Sequence, residues 1–200
     1  MNEETDSGQN RNDKARKRRL PRKATKSHLE NAALHYLERF STSSQNLKYV
    51  LLRRVMRSAH YHDTDADEGA VWVDDIITRF LHAGLLDDKA YADGRIRSLH
   101  ARGTSRRTIR MKLRAKGVDL DLINAVFDAI GDEKSEDIDL IAALRFAKRR
   151  RLGPYRGSQR EECREKDMAA LARAGFSYHI ARQIIETEEP ETLYPDHEFS

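Results

Sequence analysis

The chain has 200 residues, 38% hydrophobic, 7% aromatic and 35% charged, with a formal net charge of only +4, so the layout of charge says more than its total. That apolar share fills thin layers between helices rather than one large core, and the single cysteine, Cys163, excludes an internal disulfide framework and fits a reducing compartment. No stretch reaches the roughly 18 consecutive apolar residues of a membrane span, and no apolar segment follows the basic N-terminus as in a secretory signal, so a soluble, cytoplasmic protein is expected.

Residues 1–26 form the first segment. The run RNDKARKRRLPRKATK within it holds nine basic residues and one acid. With almost no apolar content it buries too little surface to offset its ordering entropy, so a disordered basic arm is expected, either a solubilising tail or a polyanion-binding arm. From Ser27 onward apolar residues recur at three- and four-residue steps, the helical period, and no proline falls between positions 22 and 153. Ala33, Leu34, Leu37 and Phe40 predict one short helix; Leu47, Val50, Leu51 and Val55 a second; Val73, Ile76, Ile77, Phe80 and Leu81 a third. Asp87 caps a restart whose first turn carries Asp88, and Ala92, Ile96 and Leu99 share its inner face. Gly103 stops that helix, Thr104 or Ser105 caps the next, and Gly117 ends it. Asp119 opens another, with Leu122, Ile123, Val126, Phe127 and Ile130 inside.

The second half repeats the middle. Ala92, Arg95, Ile96 and Gly103 match Ala142, Arg145, Phe146 and Gly153 at identical spacing, and Leu113, Gly117, Val118, Val126 and Phe127 match Leu171, Gly175, Phe176, Ile184 and Ile185. About eight extra residues, around YRGSQREEC, lie between the two matching blocks of the third copy. Ala33, Leu37 and Ser44 fall where Ala92, Ile96 and Gly103 do. The expected fold class is all-α, three tandem three-helix repeats forming an elongated, curved protein, because each unit is too small for a robust core of its own. The alternative is one irregular helical bundle with accidental similarity. The expected boundaries are 27–84 for the first repeat, with an acidic insert at about 60–70, then 85–131, 132–187 and an acidic tail at 188–200.

These residues carry a resemblance. FLHAGLLDDKAYADGRIRSLHARGTSRRTIRMKLRAKGV, with Asp87, Asp88, Ala92, Arg95, Gly103, Ile109, Leu113 and the Lys116–Gly117–Val118 turn, resembles the core signature of the RecX family, bacterial modulators of the RecA recombinase. AALHYLERFSTSS resembles that family's opening motif and KDMAALARAGFSYHIARQII its closing one, so the resemblance spans roughly residues 28–187. It implies tandem three-helix repeats, no catalytic activity, and a monomer that lodges in the groove of RecA–DNA filaments, limiting strand exchange, ATP turnover and co-protease action. The long arm, the acidic YHDTDADEG stretch, the extra residues near Cys163, and Ala169 and Ala170 where bulkier residues are expected, depart from the pattern.

Charge marks the candidate site. From Arg95 through Lys116 there are nine Lys or Arg residues and no acid. Arg106, Arg110 and Arg114 fall at i, i+4 and i+8, Arg107 joins Arg114 at i+7, and Arg95 and Arg102 repeat that spacing on the preceding helix. Like charges at i, i+4 cost a few tenths of a kcal/mol per pair, a repulsion that an anionic partner relieves. Lys148, Arg149, Arg150 and Arg151 are the counterpart in the third repeat. Salt bridges to neighbouring helices, or simple solvation, are the competing accounts. The expected partners are the RecA filament and single- or double-stranded DNA; a sequence-nonspecific DNA-binding protein without a recombinase partner is the alternative function. Neither a helix-turn-helix spacing nor aromatics within the basic stretch supports base readout.

Other chemistry is not expected. Asp63, Asp65 and Asp67 suit positions 1, 3 and 5 of a calcium loop, but Glu68 stands where glycine is needed and Asp74 where the bidentate Glu belongs; a mobile acidic linker is expected there instead. Cys163 has no histidine partner fixed by sequence, and no phosphate-binding loop occurs. No cofactor, metal or catalytic residue is therefore assigned. Trp72 is expected to pack at a helix start or to stay partly exposed as an anchor, and the acidic tail to be a frayed, solvated one, the alternatives being that it folds over a basic face or repels DNA.

Overall fold

The structure, a computed structural model, describes residues 20–130 and 135–193. Among them there are nine α-helices and no strand. α1 (Lys26–Leu37), α2 (Ser44–Tyr61) and α3 (Ala66–His82) enclose one core. α4 (Asp88–Ala101), α5 (Arg106–Arg114) and α6 (Leu120–Ile130) enclose a second. α7 (Ser135–Arg150), α8 (Arg164–Arg173) and α9 (Tyr178–Glu186) enclose a third, with single tight turns at Gly153–Tyr155 and Pro190–Leu193. The cores are separate clusters, so the chain is three small helical units in series, as its apolar share requires.

Side-chain caps start most of the helices. Thr25, Ser43, Asp65, Asp87, Ser105 and Ser177 each accept a backbone N–H of the first turn, satisfying donors that have no partner within the helix. The expected apolar faces hold for Leu47, Leu51, Val55, Val73, Ile76, Ile77 and Phe80, and for Ala92, Ile96, Leu99, Ile123, Val126 and Phe127. In α1 the face is different. Leu29 and Ala33 are buried, Leu34 is exposed, and Phe40 lies beyond the helix with its ring 5.0 Å from that of Tyr36.

Several expectations need correction. The acidic stretch near 60–70 is not a mobile linker: Asp65 caps α3, Ala66 begins it, and Gly69 is buried so close to Val55 that a Cβ would stand 2.4 Å from its Cγ1. Asp65, one of the three candidate calcium ligands, accepts hydrogen bonds from the amides of Asp67 and Glu68. The basic arm does not stay free to residue 26, since Ala24 is buried and its N–H donates to Ser58 Oγ at 2.7 Å; residues 1–19 lie outside the described part. Trp72 does not open a helix but sits mid-helix in α3, half-buried against the first core, in line with the partly exposed alternative. Just ahead of the acidic tail, Glu186 ends α9 and pairs with Arg182 and Arg164, whose hydrogen bonds hold its carboxyl below the usual range; of the tail itself, residues 194–200 are outside the described part.

Successive units are joined by one pattern used twice. At the first junction the cap of α2 turns outward: Ser43 Oγ donates to the Lys116 carbonyl, while Ser44 N–H and Oγ donate to the Asp88 carboxylate at 2.7 and 2.6 Å. At the second, Ser105 Oγ donates to the Ala174 carbonyl at 2.8 Å and Arg106 N–H donates to Asp139 at 2.8 Å. Each accepting carbonyl precedes a glycine with positive φ, Gly117 and Gly175. That left-handed turn is open to glycine at little cost, and the approach forbids a side chain: a Cβ would stand 2.3 Å from Gln45 Cγ at Gly117 and 2.6 Å from Ser105 Oγ at Gly175. The equivalent of Ser105 is therefore Ser43. Aligning Ser44 with Gly103 missed this, because α1 ends at Leu37, soon after Ala33, whereas α4 runs on from Ala92 to Ala101, and the longer loop before α2 only partly makes up the difference.

The third core differs in kind. Asp167, one turn ahead of Leu171 on α8, is buried at 1% exposure. Its carboxylate accepts two hydrogen bonds from Arg156, at 2.7 and 3.1 Å, and one from Gly153 N–H at 2.9 Å. Burial pushes this carboxyl up, but the hydrogen bonds and the Arg156 charge together outweigh it and hold it below the ordinary aspartate range. The extra residues around YRGSQREEC supply that arginine.

Candidate anionic-partner interface

The ten basic residues singled out in the sequence fall on α4, α5 and the C-terminal end of α7. Arg95, Arg102, Arg107 and Arg114 are exposed, as are Lys148, Arg149, Arg150 and Arg151. None of the nine arginines lies within ion-pair distance of a carboxylate among the described residues. Several arginines elsewhere behave otherwise. Arg79 bonds Glu30 at 2.9 Å and Asp75 at 3.3 Å, Arg97 bonds Asp93 at 2.9 Å, and Arg156 bonds Asp167 at 2.7 Å. These arginines are held by carboxylates, whereas the nine of the α4–α5–α7 set meet none among the described residues.

Arg106 and Arg110 are not part of the exposed stripe as expected. Both are half-buried, with their guanidinium carbons 4.7 and 5.5 Å from the centre of the Phe127 ring on α6. Cation–π attraction supports this placement, yet both Nε atoms are buried without a hydrogen-bond partner. Burial, then the neighbouring Arg110 charge, lowers the affinity of Arg106 for its proton. The periodicity put three arginines in one line, but it did not show that the first two lean over an aromatic ring contributed by the next helix.

The unit-two and unit-three clusters touch at the end of α4. Gly103, closing α4, packs against α7, where a Cβ would meet the Ala142 carbonyl oxygen at 2.7 Å. Arg149 Nη1 donates to the Arg102 carbonyl, and Arg149 and Arg150 lie 5.7 and 5.9 Å from the Phe146 ring. Arg107 lies on the other face of the same junction, its Cβ 3.8 Å from where a side chain at Gly175 would begin. Arg95 on α4 and Arg114 at the end of α5 are exposed. Arg151 has φ of 54°, and the bonds from Arg151 N to the Lys148 carbonyl and from Leu152 N to the Ala147 carbonyl close α7 as Gly103 and Thr104 close α4. By helix-end geometry Arg151, not Gly153, stands where Gly103 does, which corrects the repeat alignment there. An arginine in this left-handed position costs about 1–2 kcal/mol relative to glycine, so the basic run is kept through the helix end against a backbone preference.

The fold completes a second basic group. Arg53, Arg54 and Arg57 were visible as a run on α2, but their meeting with Arg22 and His28 around one cavity joins positions about 30 residues apart, a proximity that only folding creates. Among the described residues no group of three or more His, Cys, Asp or Glu side chains is placed to hold a metal ion, and no helix is long and apolar enough to cross a membrane.

Known proteins share this architecture. Residues 87–126 match the family described as RecX, second three-helix domain. The chain is 44% identical over 177 residues to the regulatory protein RecX of Myxococcus xanthus, covering 87% of this chain and 92% of that one. It is 31% identical to the regulatory protein RecX of Agrobacterium fabrum, covering 83% and 87%. The crystal structure of RecX from Lactobacillus salivarius superposes with a TM-score of 0.58 at 22% identity, covering 82% of this chain and 96% of that one, which shows a shared fold.

Proposed function

The chain belongs to the RecX family, and from that premise we propose that it is a non-catalytic, monomeric, cytoplasmic regulator that binds RecA–DNA filaments in their groove and inhibits RecA recombinase, ATPase and co-protease activities. The observation that carries this reading is the set of guanidinium groups on α4, α5 and the end of α7 that meet no described carboxylate. A surface of that kind gains free energy when an anionic partner releases its counterions or accepts charge-assisted hydrogen bonds. Three units in series, at 27–84, 85–131 and 132–187 with a basic arm and an acidic tail, supply the reach to bridge neighbouring protomers. Holding them together opposes the rearrangements that filament activity needs.

Turnover of ATP by RecA on single-stranded DNA tests the proposal. The chain is expected to lower turnover in a dose-dependent way. The triple variant R102E/R107E/R114E is expected to weaken that effect by at least ~10-fold through lost and reversed charge, with helicity unchanged because all three side chains are exposed. These positions are cleaner than Arg106 and Arg110, whose replacement also strips Phe127. Unaltered turnover at several protein ratios rejects the reading; equal inhibition by the triple variant removes this surface from it. Because bare DNA also carries the anionic groups such a surface needs, co-sedimentation at matched salt separates the alternative, and a preference for naked DNA over filaments favours a general DNA-binding protein.

A further inference from the structure

On the first unit, α2, the start of α1 and the segment ahead of it line an open cavity of about 520 Å³. Its walls include Arg22, His28, Val50, Arg53, Arg54 and Arg57. Val50, Arg53, Arg54 and Arg57 are spaced i, i+3, i+4 and i+7, so they form one stripe of α2. The opposite wall is held in place: Ala24 N–H donates to Ser58 Oγ at 2.7 Å, Ser58 Oγ and Thr64 Oγ1 are 2.7 Å apart, and His62 Nε2 donates to the Pro21 carbonyl at 2.7 Å. Arg22 is thereby carried toward α2 by a strapped segment rather than by a free end.

None of the four arginines pairs with a carboxylate among the described residues. His28 adds an Nδ1 atom that is buried and has no hydrogen-bond partner. The first turn of α1 holds no acid, so the positive end of that helix is also uncompensated. The other lining residues, Pro21, Ala24 and Val50, are small and apolar; they offer no place for the side chains of an acidic peptide.

We propose that this cavity is a phosphate site, distinct from the α4–α5–α7 surface. It takes the phosphoryl oxygens of a compact polyanion carrying about three or four negative charges, on the forks of Arg53, Arg54 and Arg57, with Arg22 closing from the strap. Such oxygens come either from a free polyphosphate, as in a nucleoside triphosphate, or from successive phosphodiesters of a nucleic acid strand.

The test uses the full chain alone, labelled so that the arginine Nε–H groups and the His28 ring are followed by nuclear magnetic resonance. Inorganic tripolyphosphate is titrated in one arm and an oligothymidylate in the other. Saturable shifts of His28, Arg53 and Arg57 are expected, and the affinity read from His28 is weakened at least ~10-fold in R53Q/R57Q. That variant keeps exposed helical positions filled by a good helix former. Shifts with tripolyphosphate identify a free polyphosphate as sufficient. Shifts with the oligonucleotide alone identify the strand, and R53Q/R57Q then flattens the log–log salt dependence by about 1.4, two contacts at about 0.7 each. No shift in either arm, shifts confined to α5 and α7, or shifts that survive R53Q/R57Q overturn the proposal. No recombinase is present, so a failed turnover assay leaves this result untouched, and a silent cavity leaves the turnover assay untouched.

Discussion

In α5 the side chains turned to the core are Ile109 and Leu113; in α8, spaced alike, they are Asp167 and Leu171. The outer faces differ too. α5 carries five Lys or Arg among nine residues and no acid, whereas α8 mixes Arg164, Lys166 and Arg173 with Glu165. Both helices end at a left-handed glycine and both hold the same place in their unit. A unit of this fold therefore stands with either set of charges outside and with either an apolar or an ionic layer inside. The cationic face of α5 is not something the packing of the unit demands, which is why we read it as serving a partner.

The largest effect is expected where the two cores differ. Asp167→Ala leaves Arg156 and the Gly153 N–H without their acceptor, and breaking a buried pair from one side costs about 3–5 kcal/mol. D167I with R156M rebuilds the layer that α5 has and is expected to be near neutral or stabilising. Urea midpoints for the two variants decide it, and an undisturbed midpoint in Asp167→Ala refutes the ionic layer.

A smaller effect tests the likeness of the junctions. Ser43→Ala and Ser105→Ala each remove a helix cap and a bond to the next unit, for about 1–2 kcal/mol apiece. Because the two serines play one role, their costs are expected to agree. A loss at one and silence at the other would show that only one junction is closed in solution.

The smallest is a pH effect confined to the second junction. His100 Nε2 donates to the Ile138 carbonyl at 2.8 Å across α4 and α7. Burial holds this imidazole below its usual value, assisted by the Arg145 charge and opposed by the Ile138 carbonyl and Asp139. A base whose proton affinity drops on folding is more protonated unfolded, so its contribution is complete above about pH 6.5 and is lost as pH falls toward the folded value. His100→Gln should remove that part of the acid sensitivity. What then remains at lower pH belongs to the carboxylates whose partners hold them below their usual range, Asp167, Glu30, Asp75 and Glu186, each lost only as pH falls through its depressed folded value. Identical stability profiles for wild type and His100→Gln between pH 7 and 5 would contradict the assignment.

The all-helical class, the caps at Asp87, Ser105 and Asp119 and the stops at Gly103 and Gly117 were legible because each depends on neighbours within a turn or two. Spacing along one helix is set by the 3.6-residue period, whatever surrounds it. The same local logic failed at α1, where Leu29 rather than Phe40 is buried. Which side of a short helix faces inward is decided by the helices that cover it.

The basic stretch shows the same division. Its composition and its lack of acids can be read from residues 95–116 alone, since charge belongs to the side chain wherever it lies. That Arg106 and Arg110 rest on Phe127, that Arg149 touches the end of α4, and that Arg22 and His28 join the arginines of α2 follow from approaches between segments far apart in sequence. Those approaches are chosen by burial, which is non-directional and leaves no periodic trace along the chain. Asp167 is the extreme case: as a letter it predicts a surface, and only the arrival of Arg156 from the extra loop makes its burial affordable.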